Sequence, residues 1–143
     1  MFHKDRVYID VGQDTLHGVG PGSLSCIDAT KTGDISQTGK VWQCKEVDRT
    51  LSTVAVADGL VYAADYTGNL RCIEADTGKI VWTFDTRDRI WSSPFLADGK
   101  VYMGTERGQL FVLAAGREMK ELAKIRMDTA IQCTPIVANG VFY

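Results

Sequence analysis

The residue types best suited to binding a ligand lie together in a glycine-rich segment near the start of the chain. Asp14 and His17 stand three residues apart with Gln13 beside them, and the glycines between positions 12 and 22 allow the backbone to wrap around a ligand. A carboxylate and an imidazole both bind metal ions, but a metal site needs three or four ligands and only two stand here. Asp14 and His17 are therefore weak metal candidates in a predicted binding loop, and the alternative is an ordinary polar surface loop.

Charged and aromatic residues near predicted turns form a second set of binding candidates. Asp65, Glu106 and Arg107 follow two apolar runs, at positions where the loops of repeat folds contact partners. Charged turn residues are also common where they are only solvated, so both interpretations stay open. Trp91 has no aromatic counterpart in the neighbouring repeats described below. It either lines an axial channel or a partner surface, or packs in the core.

No catalytic motif is present in the sequence. The scattered cysteines, Cys26, Cys44, Cys72 and Cys133, include no Cys-x-x-Cys pair, and with only two histidines a zinc site is not expected. Their spacing specifies no disulfide framework, although it leaves single bridges open. A nucleophile elbow, a phosphate-binding loop, a dinucleotide fingerprint and a His-Glu-x-x-His motif are all missing. The sequence therefore favours a binding or structural protein over an enzyme.

Composition and charge exclude several classes of partner. Of the 143 residues, 45% are hydrophobic and 24% are charged, which is the balance of a globular domain, and the formal net charge is −2. A chain with this charge has no overall electrostatic attraction for nucleic acid. No run approaches the roughly 18 consecutive apolar residues of a membrane span, and the residues before Val7 contain no export signal. We therefore expect neither a nucleic-acid partner nor a membrane span.

The elements that must position the candidate residues recur along the chain. The triplets Ala57-Asp58-Gly59, Ala97-Asp98-Gly99 and Ala138-Asn139-Gly140 follow one another at intervals of 40 and 41 residues, and Trp42 and Trp82 are also 40 residues apart. A fixed period in this range is typical of solenoids, propellers and other repeat arrays. Because unrelated landmarks share the period, the repeat belongs to the fold rather than to one motif.

Each repeat is predicted to contain four short β-strands. In the best-formed unit the apolar runs are 52–57, 60–64, 70–75 and 80–85. The Asp-Gly and Asn-Gly steps between the first and second runs predict hairpins with type I′ turns. No segment has an apolar period of helical type that lasts beyond about two turns. The predicted fold is all-β: a partial β-propeller of four-stranded antiparallel blades, with about three to three and a half blades.

The predicted blades divide the chain unevenly. They span 6–46, 50–87 and 91–127, and a further blade starts at 131–143. Insertions at 12–23 and 30–37 enlarge the first blade, and such oversized loops are where function is usually found. A closed propeller of this type needs on the order of seven or eight blades, or about 300 residues. We therefore expect further blades to complete the ring, either from the same parent chain or by self-association.

A resemblance to the pyrroloquinoline quinone (PQQ)-like propeller family is carried by one segment, Ile73-Glu74-Ala75-Asp76-Thr77-Gly78-Lys79-Ile80-Val81-Trp82. This segment is similar to the tryptophan-docking repeat of that family, and the resemblance extends over nearly the whole chain. It implies that Trp42 and Trp82 pack onto the adjacent blade as structural docking residues. The third unit has no tryptophan at the matching position and has 114–117 in place of the docking turn, so we expect it to dock more weakly or differently.

The same resemblance sets the expectations about function. The chain resembles the non-catalytic, outer-membrane-assembly type more than the quinoprotein dehydrogenases, because the adjacent cysteine pair of those enzymes is missing. Cys26 and Cys72 instead occupy matching places in two repeats and are predicted to be small, buried strand residues. The resemblance implies a scaffold for protein interaction or ligand binding, located in the bacterial periplasm or cell envelope, with no cofactor.

Two alternatives remain open at this point. The first is a fragment of a PQQ-dependent quinoprotein dehydrogenase, which would bind PQQ with calcium through residues on other blades. The second is a sensor domain that binds a carbohydrate or a peptide. A shared fold does not choose between these functions.

Overall fold

The computed structural model describes residues 1–13 and 21–143, and the regular structure of that part consists of β-strands alone. Blade 1 contains β1 (Phe2–His3), β2 (Arg6–Gly12), β3 (Gly22–Asp28) and β4 (Lys40–Cys44). Blade 2 contains β5 (Ala55–Ala57), β6 (Leu60–Ala64), β7 (Asn69–Glu74) and β8 (Ile80–Asp85). Blade 3 contains β9 (Phe95–Ala97), β10 (Lys100–Gly104), β11 (Gln109–Ala114) and β12 (Glu121–Arg126). A final hairpin contains β13 (Val137–Ala138) and β14 (Val141–Phe142).

Strands that follow one another in the chain are also neighbours in each sheet, and all pairs are antiparallel. The prediction of an all-β chain built from four-stranded antiparallel sheets is therefore confirmed. No helix of the described residues is long and apolar enough to cross a membrane.

Tight turns join the first two strands of each blade because two successive residues adopt positive φ. Asp58 and Gly59, with φ of 50° and 74°, connect β5 to β6 in this way. Lys4 and Asp5, with φ of 46° and 59°, form the same kind of connection between β1 and β2 without a glycine. The sequence predicted that blade 1 begins at position 6, but its first strand begins at Phe2.

Blades 1 and 2 repeat the same row of side chains across their second, third and fourth strands. In the strand register these rows are Tyr8–Cys26–Trp42 and Tyr62–Cys72–Trp82. In both blades the register shifts directly after the cysteine, and the tyrosine and tryptophan ring centroids lie 6.0 Å and 5.9 Å apart. The two repeats therefore agree in local geometry as well as in sequence.

Hydrophobic side chains are buried between neighbouring blades. One cluster joins blades 1 and 2, and includes Tyr8, Leu24, Trp42, Val61, Ala63 and Ile73. A second cluster joins blades 2 and 3, and includes Tyr62, Leu70, Trp82, Met103, Phe111 and Leu113. Blades 1 and 2 thus each have an apolar face that the following blade covers, which is the packing principle of a propeller.

The inner strand β5 is shorter than the predicted run 52–57. The Ser52 hydroxyl donates a hydrogen bond to the Ala64 carbonyl at 3.2 Å, and the Thr53 N–H donates to Ser93 Oγ in the next blade at 3.0 Å. The Thr53 N–H is therefore bound outside the β5–β6 ladder, and regular pairing starts only at Ala55.

The two predicted insertions contribute differently to blade 1. Strands β2 and β3 remain paired as far as Gly12 and Gly22, so the ends of the first insertion, 12–23, extend the hairpin. The second insertion, 30–37, lies between β3 and β4. There the Asp34 carboxylate accepts a hydrogen bond from the Ser36 N–H at 3.0 Å, which forms a local turn.

Candidate functional site

One end of the sheets carries the turns between second and third strands and the connections from blade to blade, because antiparallel strands alternate in direction. We call this end the loop face; among the described residues it includes 45–54, 65–68, 86–94, 105–108 and 127–136. The opposite end, the turn face, includes 58–59, 76–79 and 98–99. Backbone bonds hold the loop face together: the Tyr66 N–H donates to the Arg49 carbonyl at 2.8 Å, and the Glu106 N–H to the Arg89 carbonyl at 2.9 Å.

Aromatic and guanidinium groups cluster around Tyr66 on the loop face. The Arg49 guanidinium lies 4.3 Å from the ring centroid of Tyr66, and that of Arg89 lies 5.3 Å from it. Trp91 meets the same ring edge-on, with centroids 5.1 Å apart. Arg49 is buried, Arg89 is exposed, and the two aromatic residues are half-buried. Cation–π and edge-to-face contacts therefore hold Tyr66 and Trp91 in fixed positions at the surface.

Trp91 thus packs against a neighbouring aromatic residue of the loop face. Its indole Nε1 is buried and has no hydrogen-bond partner among residues 1–13 and 21–143. Sequence reasoning selected Trp91 but missed Arg49, Tyr66 and Arg89. A signal was available, because Asp48-Arg49 and Asp88-Arg89 recur with the 40-residue period of the repeat.

Asp65 belongs to a buried polar network instead of an exposed turn. Its carboxylate is fully buried and accepts hydrogen bonds from Thr67 Oγ1 at 2.6 Å, from the Asn69 N–H at 3.1 Å and from the Arg71 guanidinium. Burial raises the pKa of this carboxyl, but the hydrogen bonds from Thr67, Arg71 and Asn69 outweigh it and hold the pKa below its usual value. Asp65 therefore orders the β6–β7 turn and is not free to contact a partner, which corrects both interpretations offered by the sequence.

Glu106 and Arg107 lie at the junction between blades 2 and 3. The Arg107 N–H donates to Asp88 Oδ2 at 2.7 Å, and its Nε lies 3.6 Å from the other carboxylate oxygen of Asp88. Glu106 Oε2 lies 3.7 Å from Nη1 of Arg89. The structure therefore brings Glu106 and Arg107 onto the surface that also carries Arg89 and Trp91.

The predicted binding loop in blade 1 is described only at its edge. Gln13 follows β2 and its side chain is exposed. Asp14 and His17 lie outside the described residues, so their role in binding metal stays a prediction. Among the described residues, no three His, Cys, Asp or Glu side chains are grouped so that they could hold a metal ion.

Trp42 and Trp82 each donate a hydrogen bond to the following blade. Trp42 Nε1 lies 2.9 Å from the Ala75 carbonyl oxygen, and Trp82 Nε1 lies 2.9 Å from the Gly116 carbonyl oxygen. Gly78 packs against the Trp42 ring so closely that a Cβ at this position would lie 2.6 Å from it. Both indoles therefore join neighbouring blades through packing and a directed hydrogen bond.

The altered turn of blade 3 keeps this contact in a different form. Gly116 has a φ of 150°, and its carbonyl accepts the hydrogen bond from Trp82 Nε1. Its N–H donates a hydrogen bond to the Tyr62 hydroxyl at 2.8 Å. Arg117 then forms an ion pair with Glu74 of blade 2 at 2.7 Å. The third unit thus contacts the second through a glycine and a charged pair at the place where the regular docking turn is lost.

Two of the cysteines are buried strand residues. All four are free, and Cys26 and Cys72 are fully buried in the third strands of their blades, as predicted. Burial raises the pKa of the Cys72 thiol to about 11. Because the thiolate is the reactive form, this side chain is inert at neutral pH.

Comparison with known proteins identifies relatives of the repeat. A family model described as outer membrane protein assembly factor BamB matches residues 20–119. BamB of Escherichia coli (strain K12) is 36% identical over 69 residues, which covers 41% of the chain and 18% of that relative. The dehydrogenase subunit of the quinone alcohol dehydrogenase of Gluconacetobacter polyoxogenes is 32% identical over 74 residues, covering 44% of the chain and 10% of the relative.

The fold also matches solved structures. The crystal structure of BamB from Moraxella catarrhalis superposes with a TM-score of 0.71 at 21% identity, and the match covers 93% of the chain and 41% of that structure. This similarity confirms the partial propeller fold. The chain spans less than half of the length of each of these three relatives.

Proposed function

The chain belongs to the family of the outer membrane protein assembly factor BamB, and we propose that this non-catalytic scaffold binds another protein through its loop face. The names of its relatives support a role in outer membrane protein assembly. A role of this kind would place the protein in the bacterial periplasm or cell envelope.

The observation that carries this proposal is the cluster of Tyr66, Arg89 and Trp91 on the loop face. Tryptophan, tyrosine and arginine are the residue types that contribute most to binding energy at protein interfaces. Here Tyr66 lies between Trp91 and two guanidinium groups, so the aromatic surface is ordered before any partner binds. Such preorganisation lowers the entropy lost on association. Arg49, which contacts the same ring, is itself buried.

Site-specific photo-crosslinking in living bacteria tests this proposal. A photoreactive amino acid is placed at Arg107 on the loop face or, as the matched control, at Lys79 on the turn face; both side chains are exposed. We expect adducts with proteins of the outer membrane assembly machinery from position 107 and none from position 79. Equal labelling from both positions, or labelling from neither, would overturn the proposal.

The dehydrogenase alternative is supported by the 32% identity to a quinone alcohol dehydrogenase. We propose that the chain itself binds no quinone cofactor, because the sequence has no adjacent cysteine pair. Titration of the purified chain with PQQ and calcium tests this second proposal. An unchanged quinone spectrum is expected, whereas a stoichiometric shift would show that the chain itself binds the cofactor and would overturn it.

A further inference from the structure

We propose that the junction between blades 2 and 3 on the loop face is a binding site for a phosphate-type anion. A concave space of ≈ 370 Å³ opens there, lined by Thr67, Arg87, Asp88, Arg89, Glu106 and Arg107. The proposal goes beyond the scaffold function, because a small anion would bind to this chain without any protein partner.

Three guanidinium groups border this space and keep donors available. The side chain of Arg87 is exposed and forms no hydrogen bond or ion pair with the described residues. Arg89 and Arg107 are 59% and 75% exposed, and their distances of 3.7 Å to Glu106 and 3.6 Å to Asp88 exceed hydrogen-bond length. The Arg89–Glu106 pair is largely exposed and contributes little stability, and Arg107 lies beyond hydrogen-bond length from the buried Asp88 carboxylate, so an incoming anion can contact both guanidinium groups.

The backbone that carries these arginines is held in place. The Asp88 carboxylate, whose side chain is only 6% exposed, accepts hydrogen bonds from the N–H groups of Arg89 at 2.9 Å and Arg107 at 2.7 Å. Arg87 itself has a φ of 57°, a left-handed conformation that is unfavourable for a residue with a side chain. Strained residues of this kind are concentrated at functional sites. The three guanidinium groups therefore extend from an ordered and partly strained frame.

The repeat provides an internal comparison for Arg107. At the junction between blades 1 and 2, Thr67 stands in the place of Arg107. The counterpart of Arg89 there is Arg49, which is buried. A junction without an exposed arginine at either of these positions therefore folds within the same chain. Position 47 is no counterpart for Arg87, because Val47 is buried and lacks the left-handed φ of Arg87.

Charge and geometry favour phosphate over a single carboxylate. The three arginines outnumber the two carboxylates of Asp88 and Glu106, which leaves one positive charge at the site. Each guanidinium presents a planar fork of donors that matches two oxygens of a phosphate group. A tetrahedral anion with several oxygens can be contacted by more than one fork at once, whereas one fork is sufficient for a carboxylate.

Isothermal titration of the full chain with inorganic pyrophosphate, at low ionic strength, tests this site. We expect binding that weakens about tenfold in Arg87→Asn and in Arg107→Thr, because each variant removes a charge-assisted contact. Asparagine is tolerated in the left-handed conformation of position 87, and threonine is the residue that the preceding junction carries in the place of Arg107, so we expect both variants to fold. Lys40→Val, which removes one exposed positive charge from β4, is the matched control and should bind like the wild type.

Glu106→Gln is a second variant, and its expected effect is opposite to that of the arginine variants. It removes a negative charge beside the site, so we expect pyrophosphate to bind more tightly. The site assignment is overturned if the wild type gives no heat with pyrophosphate or if the double variant Arg87→Asn/Arg107→Thr binds as well as Lys40→Val. Binding of an acidic peptide without binding of pyrophosphate would also reject it, because the surface would then recognise carboxylates.

Discussion

Among single residues, Asp65 makes the sharpest prediction because its carboxylate is buried opposite a buried guanidinium. Replacing it by Asn leaves Arg71 with only the more distant, exposed carboxylate of Asp48 as a counter-charge, and breaking a buried pair in this way costs roughly 3 kcal/mol. Urea denaturation of Asp65→Asn should show this loss. Asp48→Asn is the matched control, since Asp48 lies 3.9 Å from the same guanidinium but its side chain is 54% exposed; we expect a change within about 0.5 kcal/mol. Similar losses in the two variants would contradict the prediction.

The same pair predicts how stability depends on pH. The folded pKa of Asp65 is depressed below the unfolded value of about 3.9, so its contribution is present above that pH and is lost as pH falls through the folded pKa. The stability gap between wild type and Asp65→Asn should therefore narrow below about pH 4. A gap that stays constant under acid conditions would show that the charge of Asp65 is not what stabilises the fold.

The burial of some side chains could be predicted from the sequence, and that of others could not. The burial of Cys26 and Cys72 followed from their matching places in two repeats, and the structure confirms it. The burial of Asp65 could not be inferred, because its partner Arg71 lies on the next strand and nothing in the spacing marks the pair. The cluster around Tyr66 could not be inferred from the sequence either, since its members come from two connections and one turn that meet only in the folded chain.

Among structural elements, the turn before β8 allows a test of whether contact between blades 1 and 2 stabilises the protein. Gly78 and Gly59 both have φ of 74°, but a Cβ on Gly78 would lie 2.6 Å from the Trp42 ring, whereas a Cβ on Gly59 would meet nothing within 4 Å. Gly59→Ala isolates backbone strain, at about 1 kcal/mol. Gly78→Ala adds the clash, which we expect to cost about 2 kcal/mol more in urea denaturation. Equal losses would mean that the Trp42 contact does not stabilise the protein.

Strand prediction succeeded where apolar runs and Gly-containing turns agreed. Strands β6 and β8 match the predicted runs 60–64 and 80–85, because apolar residues bounded by turn signals leave few alternatives. Strand β1 was missed, since the Lys4-Asp5 turn has the geometry of an Asp-Gly turn without its glycine. Strand β5 was predicted too long, because the hydrogen bond from the Thr53 N–H to Ser93, outside the β5–β6 ladder, leaves no trace in the apolar pattern.

For the whole molecule, the 40-residue period predicts that each blade face is covered by the next blade, and the two inter-blade clusters agree with this. The extent to which a blade face is covered differs between blades 1 and 3. Cys44 in blade 1 is 6% exposed, whereas Ile125, which has the corresponding place in blade 3, is 45% exposed. Ile125 lines an apolar groove of ≈ 380 Å³ together with Met127, Val137 and Phe142.

An exposed apolar groove of this kind promotes association, because burial of its surface releases water. We expect sedimentation velocity of the purified chain to show self-association that increases with protein concentration. Ile125→Thr should reduce it, since it makes the groove more polar while keeping a β-branched residue in strand β12. Val41→Thr is the matched control, because Val41 is 40% exposed on the outer strand of blade 1, away from the groove. A monodisperse monomer, or equal effects of the two variants, would show that the groove does not drive association.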